Sequence, residues 1–122
     1  MDINQYIERI KNVEIDDAKV DSIEKLYLTT LPMDVKHIVS LTLEDCFIDE
    51  KCRIISFKEI LNSEVFTGVD FSKLKMIPLV DCKDDDYIVY NFATSHFEMY
   101  NIYDEVSFRE SKNMEELLLT LE

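Results

Sequence analysis

Four aspartates, Asp81, Asp84, Asp85 and Asp86, fall within six residues of the stretch VDCKDDDYIVYNF, Val80 to Phe92. They stand directly before a run of β-branched and aromatic side chains of the kind that fills a strand. So many carboxylates could ligate a hard cation, supply acid or base chemistry, or face a positively charged partner. An EF-hand loop beginning at Asp81 would need an oxygen ligand where Lys83 stands, glycine at Asp86 and a bidentate glutamate at Phe92. All three positions fail. Loose divalent binding at Asp84, Asp85 and Asp86 stays open beside the plainer reading of a solvated acidic turn.

Other chemistries find less support. Cys46 and Cys52 are separated by five residues, and His37 and His96 are far apart, so no zinc-ligand spacing is present. His37 next to Lys36 and His96 at a strand start read as surface or half-buried histidines, and no local motif supports a Cys–His nucleophile pair. Adjacent carboxylates such as Asp104 and Glu105 could act as acid and base, but a chain with 26 acids supplies such pairs by chance. The single glycine, Gly68, rules out glycine-rich phosphate loops, which need several. Tyr87, Tyr90, Tyr100 and Tyr103 could stack on nucleic-acid bases only if basic groups tracked the backbone. The charge has the wrong sign: from Asp81 to Glu122 eleven acids face only Lys83, Arg109 and Lys112. Most of these tyrosines therefore read as sheet and core residues.

The elements that would position these groups follow from periodicity. Ile3, Tyr6, Ile7 and Ile10 keep helical spacing behind Asp2, with Gln5 completing a capping box. Val20, Ile23, Leu26 and Tyr27 mark a second helix, and Val35, Ile38 and Val39 a third that Pro32 opens. CFIDEKCRII, Cys46 to Ile55, predicts two short strands about a polar turn at Asp49 to Lys51. Ser56 with Glu59 caps a short helix through Ile60 and Leu61. KMIPLVDC, DDYIVYNF and HFEMYNIYDEVSF read as three successive strands of an antiparallel meander, with the acidic run at its first turn. Asn113 and Glu116 cap a closing helix with Met114, Leu117, Leu118 and Leu121 on one stripe. This order predicts one α+β domain over residues 1–122, with an antiparallel sheet of four to six strands flanked by helices.

Composition bounds the function. A 122-residue chain that is 47% apolar can build one core, and no apolar run approaches the length of a membrane span. The start MDINQYIERIKN lacks a basic segment followed by an apolar one, which points to the cytoplasm, and an odd count of three cysteines fits reduced thiols there. A formal charge of −13 argues against nucleic acid and anionic membranes and for a basic partner.

VDSIEKLYLTTLPMDVKHIVSLT resembles the signature segment of the SUKH superfamily, the Smi/Knr-type proteins, through Ile23 and Glu24, Leu31-Pro32, Asp34, and a helix through Ile38 and Val39. MIPLVDCKDDDYIVYNF resembles its second landmark, an IPL strand with an acidic turn and a tyrosine-rich strand. YDEVSFRESKNMEELLLTL, with Tyr103-Asp104-Glu105 before a capped leucine-rich helix, resembles the third. Together they cover nearly all of the chain from Val20 onward.

The resemblance implies a non-catalytic α+β domain with a central antiparallel sheet flanked by helices. The failed EF-hand and zinc spacings add the expectation of no metal and no cofactor. Most bacterial members are immunity proteins that bind and neutralise a polymorphic toxin, often a nuclease; fungal members are scaffolds in cell-wall regulation. The charge leads separately to a compatible partner, since a nuclease must be basic to hold phosphates. The expected docking surface comprises Asp84, Asp85, Asp86, Asp104 and Glu105, with Tyr87 or Tyr103 as aromatic anchors. The competing expectations are a cytoplasmic scaffold without a toxin and, further off, a small-ligand domain or hydrolase using a cleft beside the sheet.

Overall fold

The computed structural model describes residues 1–121. Three helices come first: α1 (Ile3–Asn12), α2 (Asp17–Tyr27) and α3 (Met33–Ser40). A short hairpin follows, β1 (Phe47–Ile48) and β2 (Cys52–Ile54), then three short helices, α4 (Phe57–Leu61), α5 (Ser63–Thr67) and α6 (Phe71–Leu74). Four strands of six residues each complete the sheet: β3 (Met76–Asp81), β4 (Asp86–Asn91), β5 (His96–Asn101) and β6 (Val106–Ser111). Helix α7 (Met114–Leu119) comes last. The sheet has six strands in the order β1-β2-β3-β4-β5-β6, each antiparallel to its neighbours. This is the expected α+β class.

The helix starts follow their caps. Gln5 N–H donates to Asp2 Oδ1 at 2.7 Å while Asp2 N–H donates to Gln5 Oε1 at 2.9 Å, the reciprocal pair that the Asp2–Gln5 spacing predicts. Ser56 and Glu59 form the same box at α4, and Asn113 Oδ1 accepts from Glu116 N–H at 2.9 Å at α7. Glu24 Oε2 accepts Leu31 N–H at 2.7 Å and so ties α2 to the entrance of α3. Ile23, Leu31, Val35 and Val39 are buried around that tie. No described helix is long and apolar enough to cross a membrane.

Register assigns the two sheet faces, because residues directly opposite on neighbouring strands point to the same side. Ile54, Val80, Ile88 and Met99 form one row across four strands, and Ile77, Tyr90 and Phe97 form another on the same face. Side chains of α1, α3 and α7 lie over this face, where Ile7, Ile38 and Leu118 line one groove together with Phe97. The opposite face carries the row Arg53, Asp81, Tyr87, Tyr100 and Ser107. Phe71 at the start of α6 is fully buried and packs on two rings of that row, with centroids 5.8 Å from Tyr87 and 6.2 Å from Tyr100. With helices on both faces, β3, β4 and β5 are buried almost throughout.

Two local expectations are revised. HFEMYNIYDEVSF does not form one strand; it divides into β5 and β6 about a turn at 102–105. Asn101 makes the break, its Oδ1 accepting Asp104 N–H at 2.8 Å, and Glu105 completes the reversal at φ 57°. Helices α5 and α6 were not foreseen, since pieces of five and four residues are too short to show a helical stripe. They rest on side-chain bonds instead. Buried Ser63 donates its hydroxyl to Val69 C=O and accepts Phe71 N–H, both at 3.0 Å, while Gly68 ends α5 at φ 80°.

Candidate protein-docking surface

A six-stranded meander sends alternate hairpins to the same end of the sheet. The β1–β2, β3–β4 and β5–β6 turns therefore share one end, and the β4–β5 turn lies at the other. The shared end carries Asp49 and Glu50 on the first tip, Asp84, Asp85 and Asp86 on the second, and Asp104 and Glu105 on the third. Lys51 and Lys83 are the only bases among these turn residues, whereas Phe92 to Ser95 at the far end contain no acid. Strand spacing sets the outer tips roughly 19 Å apart, so a partner meets a broad acidic edge.

The second and third tips are joined by hydrogen bonds. Asp86 and Asn101 are directly opposite in the ladder, and Asn101 Nδ2 donates to Asp86 Oδ1 at 2.8 Å and to Asp84 C=O at 3.3 Å. Ile102 N–H donates to Asp85 C=O at 2.9 Å. Within the second tip, Cys82 N–H donates to Asp86 C=O at 2.8 Å and Asp86 N–H to Lys83 C=O at 3.0 Å. Asp84, Asp85, Asp104 and Glu105 remain exposed, while Asp86 is half-buried by its amide partner.

The second tip is strained. Lys83, Asp84 and Asp85 occupy the left-handed region in succession, at φ 70°, 53° and 65°, and Asp49 and Glu50 do so on the first tip at 52° and 61°. Each such residue costs about 1–2 kcal/mol where glycine would cost little. Short polar aspartates are the side chains that best tolerate it. Lys83 has no such excuse.

Asp81 belongs to a different arrangement. Arg53 makes a paired contact with Glu59, at 2.7 Å and 2.8 Å, and reaches Asp81 at 3.5 Å. Burial alone would raise the Glu59 carboxyl, but hydrogen bonds from Arg53 and Ser56 outweigh it and hold it below the usual carboxylate range. Arg53 thus faces two carboxylates, and Asp81 is held on the sheet face beside it rather than on a hairpin tip.

The two tyrosines considered as anchors separate. Tyr103 is 83% exposed on the third tip. Tyr87 is 8% exposed and packs on Phe71; burial first, and Asp81 second, push its hydroxyl up to about 12. Tyr87 is a core ring beneath the acidic edge, and its expected role as a partner-facing anchor is corrected accordingly. Of the seven residues expected at the surface, the structure brings Asp84, Asp85, Asp86, Tyr103, Asp104 and Glu105 together on two adjoining tips. Asp49 and Glu50 were missed, although counting hairpins along the meander would have placed them there.

A separate groove of about 250 Å3 lies between α1, α3 and α7, floored by Ile7, Ile10, Ile38, Phe97 and Leu118. His37 stands at its side with Nδ1 3.2 Å from Val13 C=O, and Asp34 Oδ1 accepts Val35 N–H at 2.8 Å, so both polar groups serve the backbone. Among the described residues no group of three or more His, Cys, Asp or Glu is arranged to hold a metal ion. No protein-family model matches the chain, and neither a curated protein nor a solved structure is found to be similar to it.

Proposed function

We propose that this chain is an immunity protein of the SUKH type, which binds and neutralises a basic polymorphic toxin through the acidic end of its sheet. One observation carries the reading: seven carboxylates on three hairpin tips converge at that end, and two of the tips are held in register by Asn101. A rigid acidic edge speeds encounter with a basic protein and fixes its orientation. Tyr103 supplies a large exposed ring among these charges, the kind of side chain that anchors interfaces.

The test is protection. Cells producing the toxin domain encoded beside this chain's gene should grow when the chain is co-produced, and the two proteins should co-purify. Protection that survives charge reversal of Asp84, Asp85 and Asp86 would remove the acidic edge from the reading. A scaffold role without a toxin draws on β6, an edge strand on which Val106 and Phe108 are exposed. That reading gains if the chain binds a protein through β6 and no neighbouring gene encodes a toxin.

A further inference from the structure

Two cysteines stand one step beyond the last pair of the β2–β3 ladder. Arg53 pairs with Asp81 and Ile54 with Val80, so one step further along the same antiparallel ladder sets Cys52 directly opposite Cys82. Directly opposed residues of an antiparallel pair have Cα atoms roughly 4.5–5.5 Å apart, inside the 4.4–6.8 Å that disulfides span. Both are free thiols, and they are near enough for each to shift the titration of the other. Cys46 stands apart, across β1 from Ile54, whose N–H donates to Cys46 C=O at 2.9 Å.

Access to the pair is uneven. Cys52 is only 4% exposed, yet it lines a cavity of about 180 Å3 together with Ile3, Ile48, Lys51 and Leu121, ample for a molecule the size of a peroxide. Cys82 is half-buried at the start of the acidic turn, more open to solvent than Cys52, its thiol 3.8 Å from Val80 C=O. The geometry points to Cys52 and Cys82 as a peroxide-oxidisable dithiol, with Cys52 attacking from the cavity and Cys82 resolving the product to an intramolecular disulfide.

The electrostatics assign the same roles. The neighbouring Cys82 holds the Cys52 thiol below its ordinary value, with burial and Asp81 opposing and Lys83 and Lys51 adding to the fall. The neighbouring Cys52, and then burial, push the Cys82 thiol up. The place of Cys52 on the cavity, together with its lowered thiol, makes it the first nucleophile. Its thiolate attacks one peroxide oxygen; the S–O bond forms, the O–O bond breaks, and the leaving hydroxide takes a proton to become water. Cys52 is now a sulfenic acid. The Cys82 sulfur attacks the Cys52 sulfur, the S–S bond forms, the S–O bond breaks, and the second oxygen leaves as water with the Cys82 proton. Two thiols and one hydrogen peroxide thus give one disulfide and two waters. The bond would fasten β2 to the base of the acidic β3–β4 turn, because Cys82 N–H already holds Asp86 C=O.

The reduced full-length chain should be treated with hydrogen peroxide in small molar excess and followed by intact-mass and non-reducing peptide mass spectrometry. The expected product is monomeric, lighter by about two hydrogen masses, contains a Cys52–Cys82 cross-linked peptide and reverts with dithiothreitol. Its melting temperature should rise by a few degrees, since the new bond closes a long loop in the unfolded chain. Cys46→Ser should leave the product unchanged. Cys82→Ser should stop at a sulfenic acid on Cys52 that dimedone traps, with circular dichroism confirming the fold. Oxidation that begins at Cys46, joins two chains, or carries Cys52 to the sulfinic acid without a disulfide would overturn the inference.

Discussion

Asn101 Nδ2 lies 2.8 Å from Asp86 Oδ1, and the same amide reaches Asp84 C=O at 3.3 Å. One neutral side chain at the end of β5 thus joins the β3–β4 turn to the β5–β6 turn, where its Oδ1 accepts Asp104 N–H, and two acidic hairpin tips become one surface. Replacing it tests whether that surface is preorganised. Asn101→Ala should cost about 1–2 kcal/mol, because Asp86 loses a charge-assisted partner at a half-buried position. Denaturant unfolding measures the cost. Faster hydrogen exchange at the Ile102 amide, which donates to Asp85 C=O, would show that the tips have come apart.

Lys83 offers the opposite lever. It holds φ 70° without glycine and without a short polar side chain, ahead of two aspartates that are also left-handed. Lys83→Gly should stabilise the fold by about 0.5–1 kcal/mol through relief of that strain, less the added entropy of the unfolded chain. Thermal melting decides it. The substitution also removes one of the two bases on the acidic end, so association with a basic partner should quicken.

Buried carboxylates set the acid limit of stability. Glu98 is 3% exposed and accepts hydrogen bonds from Ser107 at 2.6 Å, Thr94 at 2.9 Å and Asn91 at 3.1 Å. Burial raises its carboxyl, but these three donors and His96 outweigh burial and hold it below the ordinary value; Glu59 is lowered likewise. A carboxyl depressed in the fold stabilises the protein fully above its unfolded value of about 4.3 and loses that contribution as pH falls through the lower folded value. Stability should therefore drop as pH falls below about 4.5. Glu98→Gln should flatten this limb while costing about 1–3 kcal/mol at neutral pH. Urea midpoints measured from pH 3 to 7 give both quantities.

Phe71 supports the acidic edge from beneath. Its ring is fully buried against Tyr87 and Tyr100, which stand one row below Asp86 and Asn101 in the sheet. Phe71→Ala should destabilise the protein by about 3–5 kcal/mol and weaken the near-ultraviolet circular dichroism of the two tyrosines. An unchanged spectrum and midpoint would mean that α6 does not hold these rings.

The long amphipathic segments were legible in the sequence because caps and stripes agree there. Asp2 with Gln5, Ser56 with Glu59, and Asn113 with Glu116 mark helix starts that the structure shows. The β3–β4 turn was legible for a related reason, since a dense aspartate run cannot continue a buried strand. Helices α5 and α6 were not legible, being held by the Ser63 hydroxyl and by Phe71 on a sheet formed later in the chain. The break at 102–105 was hidden because Ile102 and Tyr103 have strong strand propensity, and Asn101 overrides it locally. Tyr87 and Tyr103 look alike in sequence. Only strand register, which sets Tyr87 beside Tyr100 under Phe71, and turn placement, which exposes Tyr103, tell them apart.

The proposed steering by the acidic end is tested most directly by the rate at which the chain associates with a basic toxin domain, the partner that the proposed function calls for, at low and high salt. The measurement compares the native chain with one carrying Asp84→Lys, Asp85→Lys and Asp86→Lys. Exposed charges are screened within about 8 Å at physiological ionic strength, so the native rate should fall steeply as salt rises. The triple variant should still fold, though less stably, because it loses the Asp86–Asn101 bond and the aspartates suited to left-handed backbone. It should associate about tenfold or more slowly at low salt and show a much flatter salt dependence. Equal association rates for the two proteins across the salt range, with protection of cells intact, would mean that these aspartates form only a solvated turn.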